Sequence, residues 1–241
     1  MEPTDPRIAA RYDVDNPDGP DHDFYRALVH RVDPEVVVDL GCGTGILTVT
    51  LVSAGRTVIG VDPDAGMLDV ARNRPGSERV TWQLGDSRLI GGPVDVVVMT
   101  GNVAQHIGPH HWERTLADIS TALRPGGTVA FETRNPTVQA WRGWTRDATI
   151  GTRPTRDGPL TEWIDATEPD AAGTVILTAT NHWEATGEEL IVRQPLTFRS
   201  LRQIEEQLDA VGLVVRQVFG GWSGEPFDSE SPLLVVESGK P

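Results

Sequence analysis

Ten residues, VVVDLGCGTG at 36–45, constrain this chain more than any others. A β-branched run of this kind reads as a strand buried on both faces, and here it breaks at once into glycines. Such a break puts a pliable loop at the carboxyl end of a buried strand, where open α/β sheets hold their ligands. The glycines are Gly41, Gly43 and Gly45, spaced G-x-G-x-G. A dinucleotide site asks for G-x-G-x-x-G, whose third glycine lets the helix pack closely while a pyrophosphate sits on its N-terminus. Ile46 occupies that third position. Asp39 precedes the loop, and a carboxylate there repels a phosphate. The pattern selects against a phosphate and admits a cationic ligand.

Around the loop, strand and helix patterns alternate. Residues 36–40, 57–61, 80–84, 94–100 and 128–133 read as strands. Helices are expected over 46–54, closed by Gly55, over 65–73, stopped by Pro75, and over 112–123, closed by Pro125-Gly126-Gly127. Strands this apolar belong to a parallel sheet covered by helices. From Pro136 to Ser200 the pattern changes. Segments 160–166, 174–183 and 190–198 read as antiparallel strands, with turn-formers Pro169-Asp170 and Gly187 between them. A helix over 201–211 follows, capped by Ser200 and ended by Gly212, and then strands at 214–219 and 233–237. The expectation is one α/β domain over 1–241 with an antiparallel β insertion at 137–200.

Charge narrows the partners. The formal net charge is −14, which opposes nucleic acid or an anionic membrane as the main partner. Arg142, Arg146, Arg153 and Arg156 form the one candidate basic cluster. No apolar run approaches the roughly 20 residues of a membrane span. The first twenty residues lack the basic start and apolar core of a secretory signal, so a cytoplasmic location is expected. Cys42 is the single cysteine, which excludes an internal disulfide and a multi-cysteine zinc site. The adjacent His110 and His111 do not share a helix face, and no metal site is expected.

The strand ends carry the chemistry. Asp62 ends the second strand, where a carboxylate can accept from both hydroxyls of a ribose. Asp86 and Ser87 end the third, within LGDSRL. An aspartate there can accept from the exocyclic amine of adenine, and a neighbouring backbone amide can read a ring nitrogen. Met67 can pack on the adenine face. An adenosine without phosphates, attached to a group compatible with Asp39, describes S-adenosylmethionine.

Five segments, VVVDLGCGTG, VIGVDPDAGMLDVAR, VTWQLGDSRL, VDVVVMTGN and LRPGGTVAFE, stand in the order and spacing of one family. Across residues 36–133 the chain resembles the class I S-adenosylmethionine-dependent methyltransferases, in their small-molecule branch. The resemblance implies a Rossmann-like sheet of seven strands, mostly parallel, with an antiparallel last strand and helices on both faces. Residues 233–237 would then lie between 128–133 and 214–219. It implies that Gly41 and Gly43 approach the methionine part of the cofactor, that Asp62 holds the ribose and that Asp86 holds the adenine amine. Cys42 and Pro63 belong to the same cofactor motifs, Cys42 as an unreactive loop residue. Tyr12, in a Tyr-Asp pair, would touch the cofactor's amino-acid end, and Thr100 and Asn102 would border the methyl group. The product is S-adenosylhomocysteine.

On the acceptor side, His106 follows the fourth strand and is a candidate for lining the pocket or acting as base. Trp141, Trp144, Trp163 and Trp183 serve either as core of the insertion or as walls of an organic acceptor's pocket; the first three are taken as acceptor-binding candidates. The expected reaction is methyl transfer to a nitrogen or oxygen of a small molecule, with 137–200 as a substrate-side lid. Three alternatives differ in class: a nicotinamide-dependent oxidoreductase, a silent S-adenosylmethionine-binding module, and a protein or RNA methyltransferase.

Overall fold

The computed structural model describes residues 4–241. Two helices precede the first strand, α1 (Pro6–Asp15) and α2 (Pro20–Val32), and neither is among the elements expected above. Asp5 caps α1 by accepting from the Arg7 amide. Pro20 opens α2, with Asp21 and Asp23 in its first turn, where carboxylates complement the helix dipole.

The large sheet starts as expected. Its strands are β1 (Val36–Leu40), β2 (Thr57–Asp62), β3 (Val80–Leu84), β4 (Val94–Met99) and β5 (Leu123–Arg134). Helices α3 (Ala65–Arg72), α4 (Val103–His106) and α5 (Pro109–Ala122) lie between them. The insertion follows β5, with α6 (Arg146–Thr149) and strands β6 (Gly151–Thr155), β7 (Gly158–Ala166), β8 (Thr174–Trp183) and β9 (Glu188–Thr197). The chain closes with α7 (Leu201–Asp209), β10 (Val214–Phe219) and β11 (Leu233–Gly239). The seven-stranded order is β10-β11-β5-β4-β1-β2-β3. β11 pairs antiparallel with both neighbours, and the other pairs are parallel.

Alternation along each strand divides the core in two. Val38, Val97, Met99, Val129 and Phe131 face one side, under α5 and α7. Val37, Val96, Val98 and Ala130 face the other, under Tyr25, Leu28 and Val29 of α2. Both faces are covered, and the strand ends are left as the accessible rim.

Two expectations need correction. Residues 46–54 form no α-helix, only a 3₁₀ turn at Thr48–Leu51. The segment is rich in β-branched residues, which lose side-chain freedom in a helix. Its threonines are also engaged elsewhere: Thr50 Oγ1 donates back to the Leu47 carbonyl at 2.6 Å, and Thr48 Oγ1 donates to Asp39. The insertion has four antiparallel strands rather than three, in order β6-β7-β8-β9. β6 contains Gly151 and Pro154 and pairs on one edge alone, so it lacks the apolar alternation that marks the others.

Candidate active site

The backbone of the glycine loop is occupied by its own sheet. The amides of Gly41 and Cys42 donate to the Val61 carbonyl at 2.7 and 3.2 Å. The Gly43 amide donates to Asp62 Oδ2 at 2.7 Å. A phosphate cradle works by aiming such amides at the anion, and these three are turned inward. Gly41 has φ +78°, and a Cβ there would stand 2.4 Å from Val103 Cγ2. Gly43 has φ +52° with no atom within 4 Å of such a Cβ, so the loop opens there onto free volume. The Cys42 side chain is buried under the loop, packed with Leu68, Ala71 and Trp82, and burial raises its thiol pKa.

Two carboxylates flank the opening. Asp62 accepts the Gly43 amide on one oxygen and the Asp64 amide on the other, at 2.8 Å. An ionised carboxylate has about four acceptor positions, so about two stay free, enough for two ribose hydroxyls. Burial raises its pKa against the pull of those amides. Asp39 is 1% exposed. Its Oδ2 accepts from Thr48 Oγ1 at 2.6 Å, while the buried Oδ1 has no hydrogen-bond partner. Burial pushes its pKa up to about 6, with Thr48 opposing and Asp62 adding. A buried acceptor without a donor is costly, and a cationic donor that reached it would offset that cost.

Helix α1 forms the next wall. Asp13 accepts from Thr44 Oγ1 at 2.5 Å and pairs with Arg74, whose Nε reaches the Thr44 carbonyl at 3.0 Å. This staples α1 to the glycine loop. The Tyr12 hydroxyl then lies 4.0 Å from where a Cβ on Gly101 would stand. Burial, then Asp62 and Asp13, raise the Tyr12 pKa. At the other end, Met67 sits half-buried in the first turn of α3, and Pro63 is exposed.

The expected adenine edge carries its own ion pairs. Asp86 is held by arginines: Oδ1 accepts from Arg88 Nε at 2.8 Å, and Oδ2 from Arg88 and Arg114 at 3.0 and 3.3 Å. Arg88 foremost, with Arg114, keeps its pKa below the ordinary carboxylate value. The Asp86 side chain stays 35% exposed beside them. The Ser87 hydroxyl is buried and donates to Asp118 Oδ2 at 2.7 Å.

The phosphate-free loop, the two spare acceptor positions on Asp62 and the orphan oxygen of Asp39 all fit S-adenosylmethionine. A family model described as a methyltransferase domain matches residues 37–127. The cypemycin N-terminal methyltransferase of a Streptomyces species is 31% identical over 213 residues, spanning 86% of this chain and 84% of that protein. The chain belongs to the class I S-adenosylmethionine-dependent methyltransferases. An uncharacterized methyltransferase of Mycobacterium tuberculosis is 35% identical over 140 residues, and the chain spans about half of its length (52%). Among solved structures, the CcbJ methyltransferase from Streptomyces caelestis superposes with TM-score 0.77 at 22% identity, covering 94% of this chain and 98% of that one. The methyl donor of this methyltransferase is S-adenosylmethionine.

Beyond the cofactor loop, the methyltransferase gathers polar groups that have no complete partner set. Thr100 is buried at the end of β4. Asn102 follows in the left-handed region, with Oδ1 buried and unpartnered. Buried Gln105 accepts from Arg134 at 2.8 Å, and its Nε2 has no partner. His106 is exposed at the end of α4. Desolvation, with Arg134 adding, lowers its imidazole pKa.

Of the tryptophans, Trp144 stays at this wall, half-buried, with the Arg134 guanidinium 5.2 Å from its ring. Trp141 is core. It packs with Val175, Leu196 and Phe198, and its Nε1 donates to Glu168 at 3.2 Å. Trp163 is not brought to the wall either. It alternates with Glu162, whose side chain meets Arg11 of α1 at 3.9 Å, so its own ring lies on the opposite face of the sheet, under Arg146. Trp183 is buried beneath the Arg7 guanidinium at 3.8 Å.

The arginine cluster is no bare basic patch. Arg142 pairs with Glu168, Arg153 with Asp15 and Glu162, and Arg156 with Asp157, while Arg146 covers Trp163. No helix among the described residues is long and apolar enough to cross a membrane. Tyr25, Gln105, Glu132 and Arg134 are site-side residues that no motif announces. The one signal available for Glu132 and Arg134 is their place in an otherwise apolar strand, VAFETR.

Proposed function

We propose that this methyltransferase transfers a methyl group to a nitrogen or oxygen of a small organic molecule held between residues 101–108 and the inserted sheet. Residues 137–200 serve as its substrate-side lid. The observation that carries this reading is the double attachment of α1. One side is stapled to the glycine loop through Asp13, Thr44 and Arg74. The other side is tied to the inserted sheet by Arg7 to Glu188 at 2.8 Å and Arg153 to Asp15 at 2.5 Å. The sheet is thereby held over the rim, where it limits the size of an acceptor and excludes water.

When bound, S-adenosylmethionine supplies an electrophilic methyl carbon, so the protein's contribution is alignment and dryness more than activation. Asp62 holds the ribose, Asp39 and Tyr12 face the amino-acid end, and the backbone at Gly85–Ser87 with Met67 takes the adenine. Asn102 borders the methyl group, and Trp144 flanks the acceptor. His106 receives the proton where the acceptor is a hydroxyl; an amine attacks through its own lone pair. Relatives named for an N-terminal methyltransferase, an amino pentose methyltransferase and a sugar N-methyltransferase support a small acceptor. In this reading the acceptor is not a nucleic acid.

Release of S-adenosylhomocysteine from a panel of amino sugars, short peptides with free N-termini and phenols tests the proposal. Turnover on at least one small molecule supports it. Turnover confined to intact protein or RNA overturns it.

A further inference from the structure

Strand β5 is buried from Thr128 to Thr133, and one member of that run is a glutamate. Glu132 is 1% exposed. Its Oε2 accepts from the Tyr25 hydroxyl of α2, and its Oε1 accepts from the backbone amide of Asn102. An apolar side chain would fill this place without the cost of a buried charge. What the carboxylate adds is a hold on Asn102. That residue has φ 61° and ψ 28°, a left-handed conformation that asparagine enters more readily than most side chains but that still needs a partner to hold it in one place. Gly101 before it is also left-handed, at φ 70°. Three walls of the site meet at this turn. Tyr12 reaches Gly101, Val103 fills the space left by the missing Cβ of Gly41, and α4 carries Gln105 and His106 away from it.

We propose that Glu132 is a positioning residue for methyl transfer: steadied by Tyr25, its carboxylate locks the Gly101–Asn102 turn and so sets where Asn102, Gln105 and His106 stand on the acceptor side. The proposal rests on the acceptor placement given above. The lock depends on charge. An ionised carboxylate accepts from both donors, whereas a protonated one turns a hydroxyl toward one of them. Burial pushes the Glu132 pKa up to about 7, against the Tyr25 and Asn102 hydrogen bonds, with Asp21 adding. The ionisable groups around it are Tyr25 and Asp21 of α2, Tyr12 of α1, Arg134 farther along β5, and Asp39 of β1 beyond Tyr25.

Backbone amide NMR of the full chain between pH 5.5 and 8.5 tests this without any acceptor. The Asn102 amide should titrate with a midpoint of about 7 in the wild type and stay flat in Glu132→Gln. In Tyr25→Phe the midpoint should rise, because a hydrogen bond that favours the ionised form is gone. Added S-adenosylhomocysteine should shift the Gly101 and Asn102 amides. A flat Asn102 in the wild type, the same titration in Glu132→Gln, or an unmoved midpoint in Tyr25→Phe overturns the lock. A turn that titrates but ignores S-adenosylhomocysteine overturns its role in positioning. Failure of the small-molecule reading would show separately, in the acceptor panel.

Discussion

Asp62→Ala is the perturbation whose magnitude the structure defines best. The wild-type carboxylate holds the Gly43 amide at 2.7 Å and the Asp64 amide at 2.8 Å, leaving about two acceptor positions for ribose hydroxyls. A hydrogen bond to a charged group contributes about 1.5–3 kcal/mol. Losing two of them costs about 3–6 kcal/mol of binding, or a Kd raised by roughly 10²–10⁴. Asp62→Asn keeps one oxygen but sets an amide donor against the Gly43 or Asp64 amide, so a smaller loss, about 10–100-fold, is expected. Calorimetric titration with S-adenosylhomocysteine reads both variants, with NAD as the control ligand. An Asp62→Ala protein that binds within about threefold of wild type, near 0.7 kcal/mol, would show that the ribose is held elsewhere. Tighter binding of NAD would overturn the reading of the glycine spacing.

Four further outcomes are expected. Asp39 loses its proton near 3.8 when unfolded and at about 6 when folded; between these the folded state alone binds the proton, so stability falls as pH rises through that window and stays low above it. Asp39→Asn should therefore be more stable than wild type in denaturant at pH 7.5, by up to about 3 kcal/mol, yet bind S-adenosylmethionine more weakly; a destabilised variant contradicts this. Gly41→Ala drives a methyl group to 2.4 Å from Val103 and should weaken S-adenosylhomocysteine binding more than tenfold, with partial recovery on adding Val103→Ala; no recovery would mean the φ of +78° alone is at fault. Trp144→Ala should alter acceptor turnover with cofactor affinity held within about tenfold, and Trp163→Ala should change neither, whereas Trp141→Ala should cost about 3–5 kcal/mol of stability. Turnover by His106→Ala should collapse and recover at high pH with a hydroxyl acceptor, and should change little with an amine.

The sheet was legible because its signals are local and doubled. β1 and β2 are apolar runs that end in a carboxylate or a glycine loop, and both faces of the sheet are buried, so no register choice competes. The antiparallel place of β11 came from family resemblance alone. Helix α2 carries a sequence signal as well: His22, Tyr25, Leu28 and Val29 are its buried positions, spaced for one helix face. The 3₁₀ turn at Thr48–Leu51 is hidden in the sequence by an apolar helical period, against which only the β-branching speaks. Asp62 and Asp39 were readable as acids at strand ends. The capture of Asp86 by Arg88 and Arg114 was not, since Arg114 lies 28 residues away in sequence. Nor was the split among tryptophans, which depends on which face of the inserted sheet meets α1. Glu132 is the clearest loss: one acid in an apolar strand gives no hint that its partners are Tyr25 and the Asn102 amide.

A crystal structure with S-adenosylhomocysteine tests the central claim most directly. The account predicts ribose hydroxyls on Asp62, the amino group toward Asp39 Oδ1, and the sulfur at the Gly101–Asn102 turn, with a cavity left between that turn and the face of the inserted sheet that meets α1. A ligand seated away from Asp62, or a sulfur with no cavity between it and the inserted sheet, would contradict it.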